Sequence, residues 1–224
     1  MSKYNYKDIS MYWDAVFDGA PKFTVDTKIP YPGIIDGLKW LGDNAKHVLD
    51  FGCGNGKALM VSEKFGVKSG LGIDISARGI ETASAVVKDS KLDGRFSFEN
   101  GGLESLENLE ADVFDGAILF NILDNLYPDD AKHLIESLSR VLKKGASVLV
   151  KLNPVYEEAV FEEDEDFRKI ADNCYEEESG LIFWNMDEAI INDLLEGHFE
   201  YVNGYDIEMK EFETVNRMYW LKKI

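Results

Sequence analysis

The chain has 224 residues, of which 45% are apolar and 12% aromatic, enough to bury a full core and compatible with one α/β domain. Its 42 acidic residues outnumber 24 basic ones, and the resulting net charge of −18 repels a phosphate backbone and argues against a nucleic-acid partner. The longest apolar runs, such as residues 117–120 and 147–150, are too short to cross a bilayer, and residues 1–10 lack the character of a secretory signal, so no membrane partner and a cytoplasmic location are expected.

The N-terminal segment is dense in aromatics: Tyr4, Tyr6, Tyr12, Trp13 and Phe17. From His47 onward, short β-rich runs alternate with amphipathic helical stretches, the pattern of a parallel sheet covered by helices. The first strand is expected at residues 47–51, followed after a run of glycines by a helix to Phe65. A second strand at 70–73 leads into a helix capped by Ser76. The third strand is expected at 95–99, a short helix near 104–109, and the fourth strand at 114–120. Residues 129–142 place Ala131, Leu134, Ile135, Leu138, Val141 and Leu142 on one helical face. Lys143 and Lys144 suit the end of that helix, Gly145 stops it, and the fifth strand follows at 147–152. The stretch after it reads as an acidic loop, with clusters at 162–166 and 176–178 that resemble solvated surface. A helix at 187–196, ended by Gly197, precedes two long runs, 199–209 and 214–223, that read as an antiparallel hairpin.

Three features bear on function. The segment at residues 48–57 runs from a buried strand into Gly52, Gly54 and Gly56 and then into a helix, at the strand edge where open parallel sheets bind ligands. A dinucleotide fingerprint requires G-x-G-x-x-G, and here Lys57 stands at the third glycine position. Asp74 follows the loop by about one strand-helix-strand unit; it either accepts ribose hydroxyls or serves as a strand-end carboxylate that helps cap the next helix. The two cysteines, Cys53 and Cys174, form no CxxC pair, so reduced thiols and no metal are expected.

Asp50, Gly52, Gly54 and Gly56 match the acid and G-x-G-x-G of the first motif of the class I S-adenosylmethionine-dependent methyltransferases, which residues 47–152 resemble. The resemblance implies a doubly wound, mostly parallel seven-stranded sheet with a C-terminal antiparallel hairpin, a Rossmann-like methyltransferase fold. It further implies S-adenosylmethionine as cofactor, bound by Asp50, Gly52, Cys53, Gly54 and Gly56, by Asp74 and Ile75 after the second strand, and by Gly102 and Leu103 after the third. Asn121 would meet the methionine moiety, unless it is a turn residue. One departure lies in Gly101-Gly102-Leu103-Glu104, where Gly102 stands in place of the family's adenine-facing acid and Asn100 or Glu104 would substitute. The N-terminal aromatics suggest a lid in which Tyr12 and Trp13 cover the cofactor, against the alternative of a helix simply packed on the sheet.

These readings divide the chain into an N-terminal lid or helical segment (1–42), a cofactor-binding core (43–152), an acidic insertion (153–186) and a final helix and hairpin (187–224). No catalytic base is assigned, since His47, His133 and His198 read as structural or surface residues and a methyl transfer needs a base only when its acceptor must lose a proton. Residues 153–156, Asn-Pro-Val-Tyr, follow the fifth strand and read as a turn. A small-molecule methyl acceptor is expected, with a protein acceptor or a non-catalytic cofactor-binding role as alternatives.

Overall fold

The computed structural model describes residues 4–20 and 23–224; residues 1–3 and 21–22 lie outside the described residues. In chain order, α1 (Lys7–Asp18) and α2 (Pro32–Asn44) precede β1 (His47–Phe51), α3 (Lys57–Ser62), β2 (Ser69–Asp74), α4 (Ala77–Asp89), β3 (Phe96–Asn100), α5 (Leu103–Glu107), β4 (Phe114–Phe120) and α6 (Pro128–Val141). There follow β5 (Leu142–Leu152), α7 (Glu158–Glu163), β6 (Phe167–Ala171), β7 (Cys174–Glu177), β8 (Ile182–Trp184), α8 (Glu188–Leu195), β9 (Phe199–Met209) and β10 (Thr214–Lys223).

The described residues form a seven-stranded sheet in the order β3-β2-β1-β4-β5-β10-β9. All pairs from β3 to β5 are parallel, and β10 runs antiparallel to both β5 and β9. This is the expected Rossmann-like methyltransferase fold. Parallel strands must be covered on both faces, and Val48 and Leu49 show how: one packs among residues of α2 and α3, the other among those of α5, α6 and the following elements. The order reverses at β1, between β2 and β4, so the C-terminal ends of these three strands open a crevice. No described helix is long and apolar enough to cross a membrane.

Local chemistry sets the helix starts. The Ser76 hydroxyl accepts from the Gly79 N–H at 3.0 Å to cap α4, and the Asp187 carboxylate accepts from the Ile190 N–H at 2.9 Å to cap α8. Pro128 begins α6, where its missing N–H costs nothing.

Two expectations are corrected. The helix before the fifth strand ends at Val141, one residue early, and Lys143, Lys144 and Gly145 belong to β5 rather than to a helix terminus and turn. Phe114 faces Leu142 while Gly116 faces Ser147, so the chain bulges outward here, and Gly145 supplies the left-handed residue (φ 77°) that the bulge needs. The acidic stretch is likewise not a loop. It holds α7 and a three-stranded antiparallel sheet, β6-β7-β8, with Phe161 stacked on Tyr175 at 4.0 Å between ring centres and Cys174 and Trp184 reaching into the main core.

Candidate functional site

The crevice at the C-terminal ends of β1, β2 and β4 is a cavity of about 840 Å³ including its open mouth. Its walls are mostly apolar. Gly52 and Gly54 come from the loop after β1, Asp74 and Ile75 from the end of β2, Gly101, Gly102 and Leu103 from the β3–α5 turn, and Phe120, Asn121, Ile122, Asn125 and Leu126 from the end of β4. Helix α1 roofs it with Ile9, Trp13 and Phe17, and Tyr6 precedes them.

Asp74 is oriented by the backbone. Its Oδ2 accepts from the Gly54 N–H at 2.7 Å and its Oδ1 from the Ser76 N–H at 2.8 Å, so the glycine loop and the start of α4 are tied to one carboxylate. Burial lifts its carboxyl above the usual range although both hydrogen bonds oppose the shift. Asp74 thus braces two backbone segments and also lines the cavity, and each of its carboxylate oxygens keeps a lone pair beyond the one its backbone donor uses.

The roof is pinned over this end. Ser10 Oγ donates to the Ile75 carbonyl at 2.9 Å, and Asp14 Oδ1 accepts from Ser76 Oγ at 2.7 Å and the Arg78 N–H at 3.0 Å. Those donors hold the Asp14 carboxyl below its ordinary range. At the other end of α1, the Tyr6 hydroxyl donates to Asp130 Oδ2 at 2.7 Å. Phe17 packs against the glycine loop, its Cζ 2.6 Å from where a Cβ on Gly54 would stand, and Gly54 itself has φ 52°. A side chain at Gly54 would therefore meet both backbone strain and the roof.

Of the residues expected to bind a cofactor, Trp13, Gly52, Gly54, Asp74, Ile75, Gly102, Leu103 and Asn121 line the cavity, whereas Tyr12, Asp50, Cys53 and Gly56 do not. Tyr12 is exposed, edge-on to Trp13 on the outer side of α1. Cys53 is buried behind the loop, its Sγ close to Gly72, and burial raises its thiol well above the ordinary range. Gly56 (φ 77°) caps α3 and makes room for the Phe98 ring. Glu104 turns back to accept from the Gly102 N–H at 3.0 Å, the Asn100 amide donates to the Asp74 and Ile75 carbonyls, and neither residue lines the cavity. The sequence reading did not assign Ile9, Phe17 or Asn125 to the site; the first two follow from the spacing 9, 13, 17, which sets one helical face in register with Trp13.

Asp50 lies 2% exposed behind the loop, with Oδ2 unpartnered. Burial, and then the neighbouring charge of Asp74, pushes its carboxyl up to about 8. Folded protein thus holds a proton that unfolded chain releases near pH 4, so stability falls as pH rises from about 4 to 8. Asp124, raised to about 6 mainly by burial, acts with the same sign at the lower end of that range. Asp50→Asn is expected to flatten the profile, gaining on the wild type by about 1.4 kcal/mol per unit between pH 6 and 7.5 in denaturant titrations. Parallel profiles for the two proteins would remove the buried proton from the account.

Residues 48–145 match a family described as "Methyltransferase domain". An O-methyltransferase, resE, from Aspergillus sclerotiorum is 30% identical over 115 residues, 51% of this chain and 42% of that protein. A protein-lysine N-methyltransferase from Saccharolobus islandicus is 32% identical over 103 residues, 46% of this chain and 59% of that protein. The chain thus spans about half the length of these two curated relatives. Among solved structures, the Burkholderia thailandensis 1,6-didemethyltoxoflavin-N1-methyltransferase, with 1,6-didemethyltoxoflavin and S-adenosylhomocysteine bound, superposes with a TM-score of 0.70 at 15% identity, covering 100% of this chain and 92% of that one. The PH0226 protein of Pyrococcus horikoshii gives a TM-score of 0.71 at 17% identity, covering 94% and 99%. At such identities the structures share the fold.

Proposed function

The chain belongs to the class I S-adenosylmethionine-dependent methyltransferase family, and from that premise we propose that it transfers the methyl group of S-adenosylmethionine to a small-molecule acceptor in the cavity beneath α1. The observation that carries the reading is Asp74, a cavity-lining carboxylate held in place by the very glycine loop it faces.

The walls fit the cofactor in sequence. Asp74 would accept the ribose hydroxyls with the lone pairs its two backbone donors leave free. Ile75 and Leu103 would flank the adenine, which meets backbone at Gly101 and Gly102 instead of an acid. Gly52 and Gly54 present backbone without a Cβ to the middle of the molecule, and Phe120 and Asn121 would face the methionine end. S-adenosylmethionine supplies an electrophilic methyl on a sulfonium. The protein's part is alignment, which is worth up to roughly 7–11 kcal/mol when reactants are held in line. Among the residues lining the cavity the titratable ones are Tyr6 and Asp74, and the Tyr6 hydroxyl is already donated to Asp130 and raised in pKa, chiefly by burial.

A cavity roofed by the chain's own helix favours an acceptor that enters whole. The Burkholderia structure holds such a compound, while the Saccharolobus relative is a protein-lysine enzyme, so acceptors of both kinds occur among similar proteins. Calorimetry with S-adenosylmethionine, S-adenosylhomocysteine and NAD tests the cofactor; binding of NAD alone would overturn the reading. Release of S-adenosylhomocysteine across small-molecule and protein acceptors tests the reaction, and turnover confined to protein acceptors would reassign it. Replacing Trp13 and Phe17 together by alanine is expected to weaken S-adenosylhomocysteine binding about tenfold, since two apolar side chains leave the roof. Unchanged affinity in a folded double variant would reduce α1 to a packing element.

A further inference from the structure

The β4 end of the cavity carries a polar group that the cofactor reading leaves unused. Asn125 closes the 3-10 turn Leu123–Asn125 after β4 and lines the cavity. Its Nδ2 donates to the Asn121 carbonyl at 2.7 Å and lies 3.4 Å from Asp124 Oδ1. Both neighbours are acceptors, which sets the orientation of the amide: its nitrogen is engaged and its oxygen is left for a ligand. Asn121 beside it is tied at both ends of its amide, its Oδ1 accepting from Lys151 Nζ and its Nδ2 donating to Asn153 Oδ1 at 2.7 Å.

The turn that carries Asn125 is held firmly. Asp124 is buried and its Oδ2 accepts from the Asn153 N–H at 2.6 Å, while the Arg217 guanidinium donates to the Asn153 carbonyl at 3.0 Å. The turn after β4 is thereby bound to the end of β5 and to β10. Ile122 and Leu126 line the cavity on either side of this residue in the chain, so the amide belongs to a mostly apolar wall, the arrangement that gives a pocket its orientation preference.

We propose that Asn125 Oδ1 selects the methyl acceptor by accepting a hydrogen bond from an N–H or O–H on a neutral, apolar-bodied small molecule. The assignment rests on the cofactor reading, which gives the opposite end of the cavity to adenosine and the end of β4, at Phe120 and Asn121, to the methionine moiety, and leaves the turn beyond them to the acceptor. A molecule whose donor is already capped would leave the amide oxygen dry and unpaired, and would bind more weakly.

Matched fragments test this on protein saturated with S-adenosylhomocysteine: indole against 1-methylindole and phenol against anisole, titrated by ligand-observed NMR. At least one uncapped fragment is expected to bind about fivefold more tightly than its methylated partner, the effect of one net hydrogen bond. In Asn125→Leu, and in Asn125→Ser should leucine not fold, the preference is expected to fall below twofold. The proposal is overturned if neither pair is distinguished by the wild type, if the preference survives both substitutions, or if the variants fold but lose S-adenosylhomocysteine, which would assign Asn125 to the cofactor. Failure of the wild type to bind S-adenosylhomocysteine in calorimetry would instead remove the cofactor reading.

Discussion

Replacing Asp74 by alanine is expected to weaken S-adenosylhomocysteine binding by about 100-fold or more. Hydrogen bonds to a charged acceptor are worth roughly 1.5–3 kcal/mol each, and two ribose hydroxyls would lose theirs together. The substitution also leaves the Gly54 and Ser76 N–H groups without the acceptors they now have at 2.7 and 2.8 Å, so the loop that forms the cavity floor loses its brace. Some stability returns elsewhere, because the Asp74 charge is one of the causes that raise Asp50, and removing it eases the ionisation of Asp50. Two readouts separate these effects. Asp74→Asn keeps one carbonyl oxygen for the backbone and is expected to melt closer to wild type than Asp74→Ala, while still binding S-adenosylhomocysteine at least tenfold more weakly than wild type. Wild-type affinity in a folded Asp74→Ala protein would show that the carboxylate serves the backbone alone.

The cofactor half of the molecule is legible from sequence for a physical reason. Strands β1 and β4 are covered on both faces, so they appear as short apolar runs, and glycine or polar turns mark where each one leaves the sheet. The loop and Asp74 are legible because a ligand at a strand edge needs bare backbone and a carboxylate at a fixed spacing. Features that depend on packing partners are less visible. The insertion hides three strands because each is short and charged residues interrupt the apolar alternation, Arg168 and Lys169 in β6 and Glu176 and Glu177 in β7, so that beside the acidic clusters the segment resembles solvated loop. Gly145 looks like a helix stop because a left-handed residue after a helix and one inside a bulge carry the same single-residue signal.

Site membership follows the same division. Tyr12 and Trp13 are neighbours in the chain, and neighbours on a helix point about 100° apart, so both cannot roof one cavity. The face that does so is Ile9, Trp13 and Phe17. Asn125 is invisible for a different reason. Its value lies in which of its amide ends is occupied, and that is decided by the Asn121 carbonyl and by Asp124, neither of which announces itself in a linear pattern.

Gly56 shows how a motif glycine can serve packing. It lies outside the cavity lining, yet a Cβ there would stand 2.5 Å from Phe98 Cε1 and 2.9 Å from the Ala83 Cβ, at a φ of 77°. The Phe98 ring also fills the space over Gly72, where an added Cβ would again approach it to 2.5 Å. One aromatic ring on β3 thus requires two glycines, one at the start of α3 and one within β2. Gly56→Val is expected to cost about 2–6 kcal/mol: roughly 1–3 for a β-branched residue at positive φ and a similar amount for overpacking. In a chain of this size that lowers the melting temperature by roughly 10 °C. The two contributions come apart in a double-mutant cycle on Gly56→Ala and Phe98→Ala. Removing the ring relieves the clash but leaves the backbone strain, so the pair is expected to couple by about 1 kcal/mol or more in favour of the double variant. Additive costs would mean that Phe98 does not set the requirement for glycine at 56, and the residue would return to the role of a backbone surface for the cofactor.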